Sequence, residues 1–188
     1  MSPIVVLVIV IAVLVVIGIL LPVGLYNGLV RARQAVKNAW SQIDVQLKRR
    51  HDLIPNLVET VKGYAAHEKN TLENVTMARA AAVKAQGVDE RAKAERDLSG
   101  ALGRLMLVVE QYPDLKANQN FLALQEELTS TENRIGFARQ YYNDSVMQYN
   151  TRIQTVPSNI LANLFAFKEE PFFEMEDKAQ REAPQVKF

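Results

Sequence analysis

The first 30 residues carry no charged side chain, and from Ile4 to Leu21 the chain is almost wholly Val, Ile and Leu. A run of that length is enough to cross the hydrocarbon core of a bilayer, and buried helices of soluble proteins are rarely so apolar for so long. Only Met1, Ser2 and Pro3 precede it, so the basic leader of a cleaved signal peptide is missing and a retained anchor is expected over residues 1–27. Just past it come Arg31, Arg33 and Lys37, then Lys48, Arg49 and Arg50, with Asp44 the one acid among them. Basic residues beside a membrane helix tend to stay in the cytoplasm. The expected arrangement is therefore a single pass with the N-terminus exported and the remainder cytoplasmic, the opposite orientation being the alternative. Where the anchor ends, Gly24 and Gly28 form a small-xxx-small pair, a spacing that lets membrane helices approach closely; self-association there competes with the plain frequency of glycine in such helices. Pro22 is a candidate kink.

Beyond the anchor, Val36, Trp40, Ile43, Leu47, Ile54, Leu57, Val61 and Tyr64 fall at spacings of three and four with one gap of seven, the stripe of an amphipathic helix. The stripe begins close to the apolar run, so the anchor is expected to pass into the soluble part without a linker. Pro55 cannot donate to the carbonyl four residues back, which predicts a kink or a restart near Asp52. An Ala-rich helix follows from His67 to Ala85, with Gly87 as a helix end and Asp89 as the next N-cap. A third helix reaches Gln111, where Pro113 stops it, and another runs from Asp114 to Arg152 with Phe121, Leu124, Leu128, Ile135, Ala138, Tyr142, Val146 and Tyr149 on its apolar side. Pro157 opens a short last segment, Asn159 to Phe167, apolar on more than one face and expected across the end of the bundle. No stretch shows the period-two alternation of a half-buried strand. The fold class is all-α: an N-terminal transmembrane helix continuing into an antiparallel bundle of long helices over residues 28–173, then a charged tail over 174–188.

Chemistry is sparsely signalled. The 22 Lys plus Arg against 21 Asp plus Glu leave a net charge of +1, which gives no reason to expect a nucleic-acid partner. The absence of cysteine excludes disulfides, thiolate zinc sites, iron–sulfur clusters and a lipidated N-terminal cysteine. His67-Glu68-Lys69-Asn70-Thr71 nearly matches the HExxH zinc-protease helix, but Thr71 stands where the second imidazole is required. Walker and dinucleotide glycine patterns are absent, and adjacent acids such as Glu126-Glu127 and Glu169-Glu170 diverge on a helix. Lys48-Arg49-Arg50, about 30 Å past the anchor at helical rise, reads as a solvated or salt-bridged face. No catalytic, metal or cofactor-binding residue is expected. Asn133, Asn143 and Asn150, set among Phe137, Tyr141, Tyr142 and Tyr149, would form either a structural polar network or a face for a partner.

Two long stretches carry a resemblance. YNGLVRARQAVKNAWSQIDVQLKRRHDLIPNLVETVKGYAAHEKNTLENVTMAR from Tyr26, and LTSTENRIGFARQYYNDSVMQYNTRIQTVPSNILANLFAFKEEPFFE ending at Glu174, resemble the LemA family of bacterial membrane proteins. The resemblance implies a short exported N-terminus, one span of the bacterial cytoplasmic membrane and a bundle of long antiparallel helices. It implies no reaction. Its gene neighbours, HtpX-type membrane proteases and TPM-domain proteins, point to envelope quality control and supply candidate partners. Three functions are weighed: a membrane-anchored scaffold or adaptor that forms homo-oligomers and organises the bilayer or envelope-stress partners, a regulatory binding module for an HtpX-type protease or a sensor kinase, and a hydrolase with an unrecognised site.

Overall fold

A computed structural model describes residues 3–173, and among them six α-helices and no strand occur. They are α1 (Pro3–Lys62), α2 (Lys69–Lys84), α3 (Gly87–Val109), α4 (Pro113–Lys116), α5 (Gln119–Gln154) and α6 (Ser158–Leu164). The described residues divide into two compact units: 3–41 with 141–170, and 42–140 with 171–173. The expected tail, 174–188, lies outside the described residues.

At 60 residues, α1 is about 90 Å long. Its large apolar side chains from Ile4 to Val23 are 46–72% exposed, which in water would be prohibitive over such a length and fits a lipid surround. This helix is a candidate membrane span. It does not restart at Asp52, because the defect made by Pro55 is repaired from outside: the carbonyl of His51, four residues back, accepts a hydrogen bond from Arg79 Nε of α2 at 2.6 Å.

In the second unit the later part of α1, α2, α3 and the first part of α5 run up, down, up and down. The pairs Asp44–Arg91 and Arg50–Ser99 align α1 with α3, whereas Tyr64–Asn118 and Arg50–Glu132 set α5 against α1. Ile54, Leu57 and Val61 pack with Leu72, Val75, Leu98, Leu105, Val109, Leu115, Phe121 and Leu128. Each such side chain contributes about 1.5–3 kcal/mol by leaving water. Tyr64, expected on this stripe, is instead 45% exposed, because α1 has already ended at Lys62.

Three expected boundaries are corrected. Asp89 is not an N-cap: α3 starts at Gly87, whose φ of +75° suits glycine, after Gln86, whose N–H is accepted by Glu90 Oε2 at 3.0 Å. The helix expected from Asp114 to Arg152 is broken, since Asn118 Oδ1 accepts the Phe121 N–H at 3.0 Å and so caps a fresh start of α5 after the single turn of α4. The last helix stops at Leu164 rather than Phe167. Ala166 takes a positive φ of 53°, and the Phe167 N–H reaches back to Ala162 O at 2.9 Å, a Schellman-type closure.

In the first unit, Trp40 packs on Tyr142 at a ring separation of 5.4 Å and Arg152 Nη1 donates to Gly28 O at 3.2 Å, so α5 descends antiparallel to α1. Leu29, Ala32, Val36 and Ala39 of α1 are buried with Tyr142, Val146 and Tyr149 of α5. α6 lies in this unit beside the apolar end of α1, with Tyr26 against Phe165.

Candidate functional site

The densest chemistry lies inside the second unit, at a position the sequence reading assigned to a surface. Lys48 is exposed and Arg49 pairs with Glu127 near the surface, but Arg50 is 1% exposed, the one member of that basic triplet to be buried. Its guanidinium meets Glu132 Oε2 at 2.6 Å, Ser99 Oγ at 2.9 Å, the carbonyl of Glu95 at 3.1 Å and Glu95 Oε2 at 3.3 Å. Glu95 is itself wholly buried, and its other oxygen lies 2.7 Å from His51 Nε2. Helical geometry makes the cluster: Arg50 and His51 sit three and four residues after Leu47, on the stripe α1 buries, and Glu95 sits between Ala92 and Leu98 on the stripe of α3. The arrangement ties α1, α3 and α5 together by charge-assisted hydrogen bonds, and Arg79 from α2 joins it through the His51 carbonyl.

A histidine held by a carboxylate is two thirds of a nucleophilic triad. The cavity beside it, about 290 Å³, is walled by Asp44, Leu47, Lys48, His51, Asp52, Arg79, Ala82, Val83 and Arg91, which supply neither hydroxyl nor thiol. Among the described residues, no group of three or more His, Cys, Asp or Glu side chains is placed to hold a metal ion. What the cluster can do chemically is hold charge in a low-dielectric interior and fix one register of four helices.

The residues singled out from sequence are placed as follows. Gly24 is exposed with open space around it, and Gly28 is half-buried against Arg152. Asn133 and Tyr141 are exposed, while Asn143 is half-buried. Tyr142, Tyr149 and Asn150 are buried in the first unit. There Asn150 acts as a backbone surrogate: its Nδ2 donates to Glu170 O at 2.9 Å, and its Oδ1 accepts the Glu170 N–H at 3.0 Å. Tyr149 Oη donates to Lys168 O at 3.0 Å. Burial and, after it, the Glu170 carboxylate raise the Tyr149 phenol above its ordinary range, against the opposing pull of Arg33, so the phenol keeps the proton it donates. Together the two side chains fasten the segment after α6 along α5. At the foot of this unit Tyr26 meets Phe165 at 4.8 Å and Phe167 at 5.9 Å, and Arg33 lies 4.9 Å above the Phe167 ring.

An open groove of about 750 Å³ lies where α1 ends against α2, lined by Val58, Leu72 and Met77 together with Glu59, Lys62, Lys69 and Glu73.

Comparison with known proteins gives a consistent result. The LemA family model matches residues 39–188. The chain is 30% identical over 144 residues to Protein LemA of Metamycoplasma hominis, covering 74% of this chain and 64% of that protein. It is 27% identical over 175 residues to Magnetosome protein MamQ 2 of Paramagnetospirillum magneticum and 26% identical over 174 residues to Magnetosome protein MamQ of Magnetospirillum gryphiswaldense, covering 79% of this chain in each case. The chain spans 64% of the length of each of these relatives.

Proposed function

We infer, from the premise that this chain belongs to the LemA family, that it is a membrane-anchored helical scaffold or adaptor which self-associates and organises the bilayer or the proteins gathered on it. The observation that carries this reading is α1: one helix whose first part exposes only apolar side chains and whose later part lies in a helical bundle, so that the molecule acts by position and contact. Two kinds of relative support it. One is named Protein LemA and others Magnetosome protein MamQ, and neither name states a reaction. Arg31, Arg33 and Lys37 favour a cytoplasmic bundle with the N-terminus exported.

Copy number in native nanodiscs, read by mass spectrometry, tests this. More than one chain per particle is expected, and Gly24→Leu is expected to lower that number, since Gly24 has open space around it for a neighbouring helix. A particle holding one chain in both detergent and bilayer would end the scaffold reading. A second reading, a regulatory module for an HtpX-type protease or a sensor kinase, draws on the open groove between α1 and α2, whose apolar and charged lining suits an amphipathic partner helix. Photocrosslinking from Met77 that trapped only further copies of this chain would remove it.

A further inference from the structure

Between Arg152 and Lys168 lie fifteen residues without a single charge, Ile153 to Phe167, and they contain α6. Only part of this stretch faces the protein. Ala162 and Phe167 are buried, but Val156 is 77% exposed, Ile160 65%, Leu164 73% and Phe165 54%. Ile160 and Leu164 are four residues apart and so share one side of α6, while Val156 is exposed in the turn that precedes it and Phe165 at its C-cap.

The level at which this apolar side sits follows from contacts within the first unit. From Ile4 to Val23 a helix rises about 30 Å, the thickness of the hydrocarbon core, so Tyr26 falls about 5 Å beyond it, at headgroup level. Tyr is enriched at that depth. One end of α6 is tied there, because Phe165 packs on Tyr26. The other end is tied close by: Arg152 donates to Gly28 O, and Ser158 Oγ donates to Arg152 O at 2.6 Å. With both ends held near the same height of α1, α6 lies across the anchor rather than along it. The charges bracketing the stretch, Arg152 and Lys168, are cations, as suits anionic headgroups.

We propose that α6 and its flanking turns form a membrane-seated foot, with Val156, Ile160, Leu164 and Phe165 embedded at the boundary between headgroups and acyl chains beside the anchor. The occupant of this apolar side is the lipid bilayer, because the side is continuous with the lipid-facing surface of α1 through the Tyr26–Phe165 contact. The inference rests on reading the start of α1 as a membrane span. Its effect is to give the chain two points of attachment, which fixes the tilt of the first unit on the membrane where a single helix would leave it free to rock.

The chain has no cysteine, so single cysteines can be placed without competition. Full-length Ile160→Cys and Leu164→Cys, spin-labelled and reconstituted in phosphatidylcholine–phosphatidylglycerol vesicles, would be compared with Val13→Cys in the anchor and with Met147→Cys, 54% exposed on α5. The ratio of oxygen to water-soluble nickel-chelate collisions is expected to be several-fold higher at 160 and 164 than at 147, yet lower than at 13. Values at 160 and 164 equal to that at 147, with 13 deep in lipid, would overturn the foot and leave the anchor standing. A water-like value at 13 would instead overturn the anchor beneath it. Labels at 160 and 164 that were shielded from both reagents and dipole-broadened by neighbouring copies would also overturn the proposal, in favour of a protein interface.

Discussion

Replacing Glu95 with Ala removes the carboxylate that holds both Arg50 and His51, in a site where Glu95 and Arg50 are 0% and 1% exposed. Deleting one partner of a buried ion pair costs about 3–5 kcal/mol, because the other charge stays behind without compensation. Here Arg50 retains Glu132, whose side chain is 52% exposed and therefore screened, which places the expected cost at the lower end, about 3 kcal/mol. For a chain of this size that lowers Tm by about 6–12 °C. Far-UV circular dichroism of the full chain in detergent, on heating and in urea, measures the loss. The double variant Arg50→Met with Glu95→Leu removes both charges and fills their volume, and it should recover most of the loss, since apolar replacement of a buried pair is often neutral or better. If Glu95→Ala stays within about 0.5 kcal/mol of the parent, the range of an ordinary surface change, the buried cluster does not hold the helices as argued.

Asn150→Ala leaves the Glu170 N–H and C=O without their partner, for about 1–3 kcal/mol, and hydrogen exchange should quicken around residues 168–170 while the α2–α3 pair is unaffected. Because the raised pKa of Tyr149 favours its neutral form in the fold, its contribution is complete below about pH 10 and is lost as pH climbs through the folded value; the difference in urea midpoint between the parent and Tyr149→Phe should shrink over that range. At the two left-handed positions the signs should oppose: Gly87→Ala, at φ +75° with no neighbour to clash with, should cost about 1–2 kcal/mol in thermal unfolding, and Ala166→Gly, at φ 53°, should gain up to about 1 kcal/mol.

The helices were legible because their stripes are long and regular. Val36, Ile43, Leu47, Ile54, Leu57 and Val61 were assigned to one face of α1, and all are buried. The buried cluster was present in the same pattern as an interruption of it. The gap of seven between Leu47 and Ile54 is where Arg50 and His51 fall, and the gap between Leu128 and Ile135 on α5 holds Thr131, buried, and Glu132. Period alone marks a missing apolar residue and does not say that charges take its place in the core, because that needs knowledge of which gaps meet in space. Glu95 is hidden for a related reason: it lies on the stripe of α3 with Ala92, Leu98, Leu105 and Val109, and an acid there reads as solvated until its partners on α1, Arg50 and His51, are known. The boundaries that failed were decided by single side chains, Asn118 as a cap and Arg79 as a distant donor to the carbonyl freed by Pro55. In the polar set around Tyr149, the partners of Tyr149 and Asn150 are backbone groups 19 and 20 residues further on, which no local spacing reveals.

The bond from Arg152 to Gly28 spans 124 positions of the chain. A ribosome adding about 5–20 residues per second takes about 6–25 s to travel that distance, and throughout it Leu29, Ala32 and Val36 are already made while the end of α5 that covers them is not. This portion of α1, just past the candidate span, therefore stays uncovered by α5 through that interval, whereas α2 and α3, separated by two residues, can pair as soon as both have emerged. Birth order thus sets a vulnerable interval at the first unit.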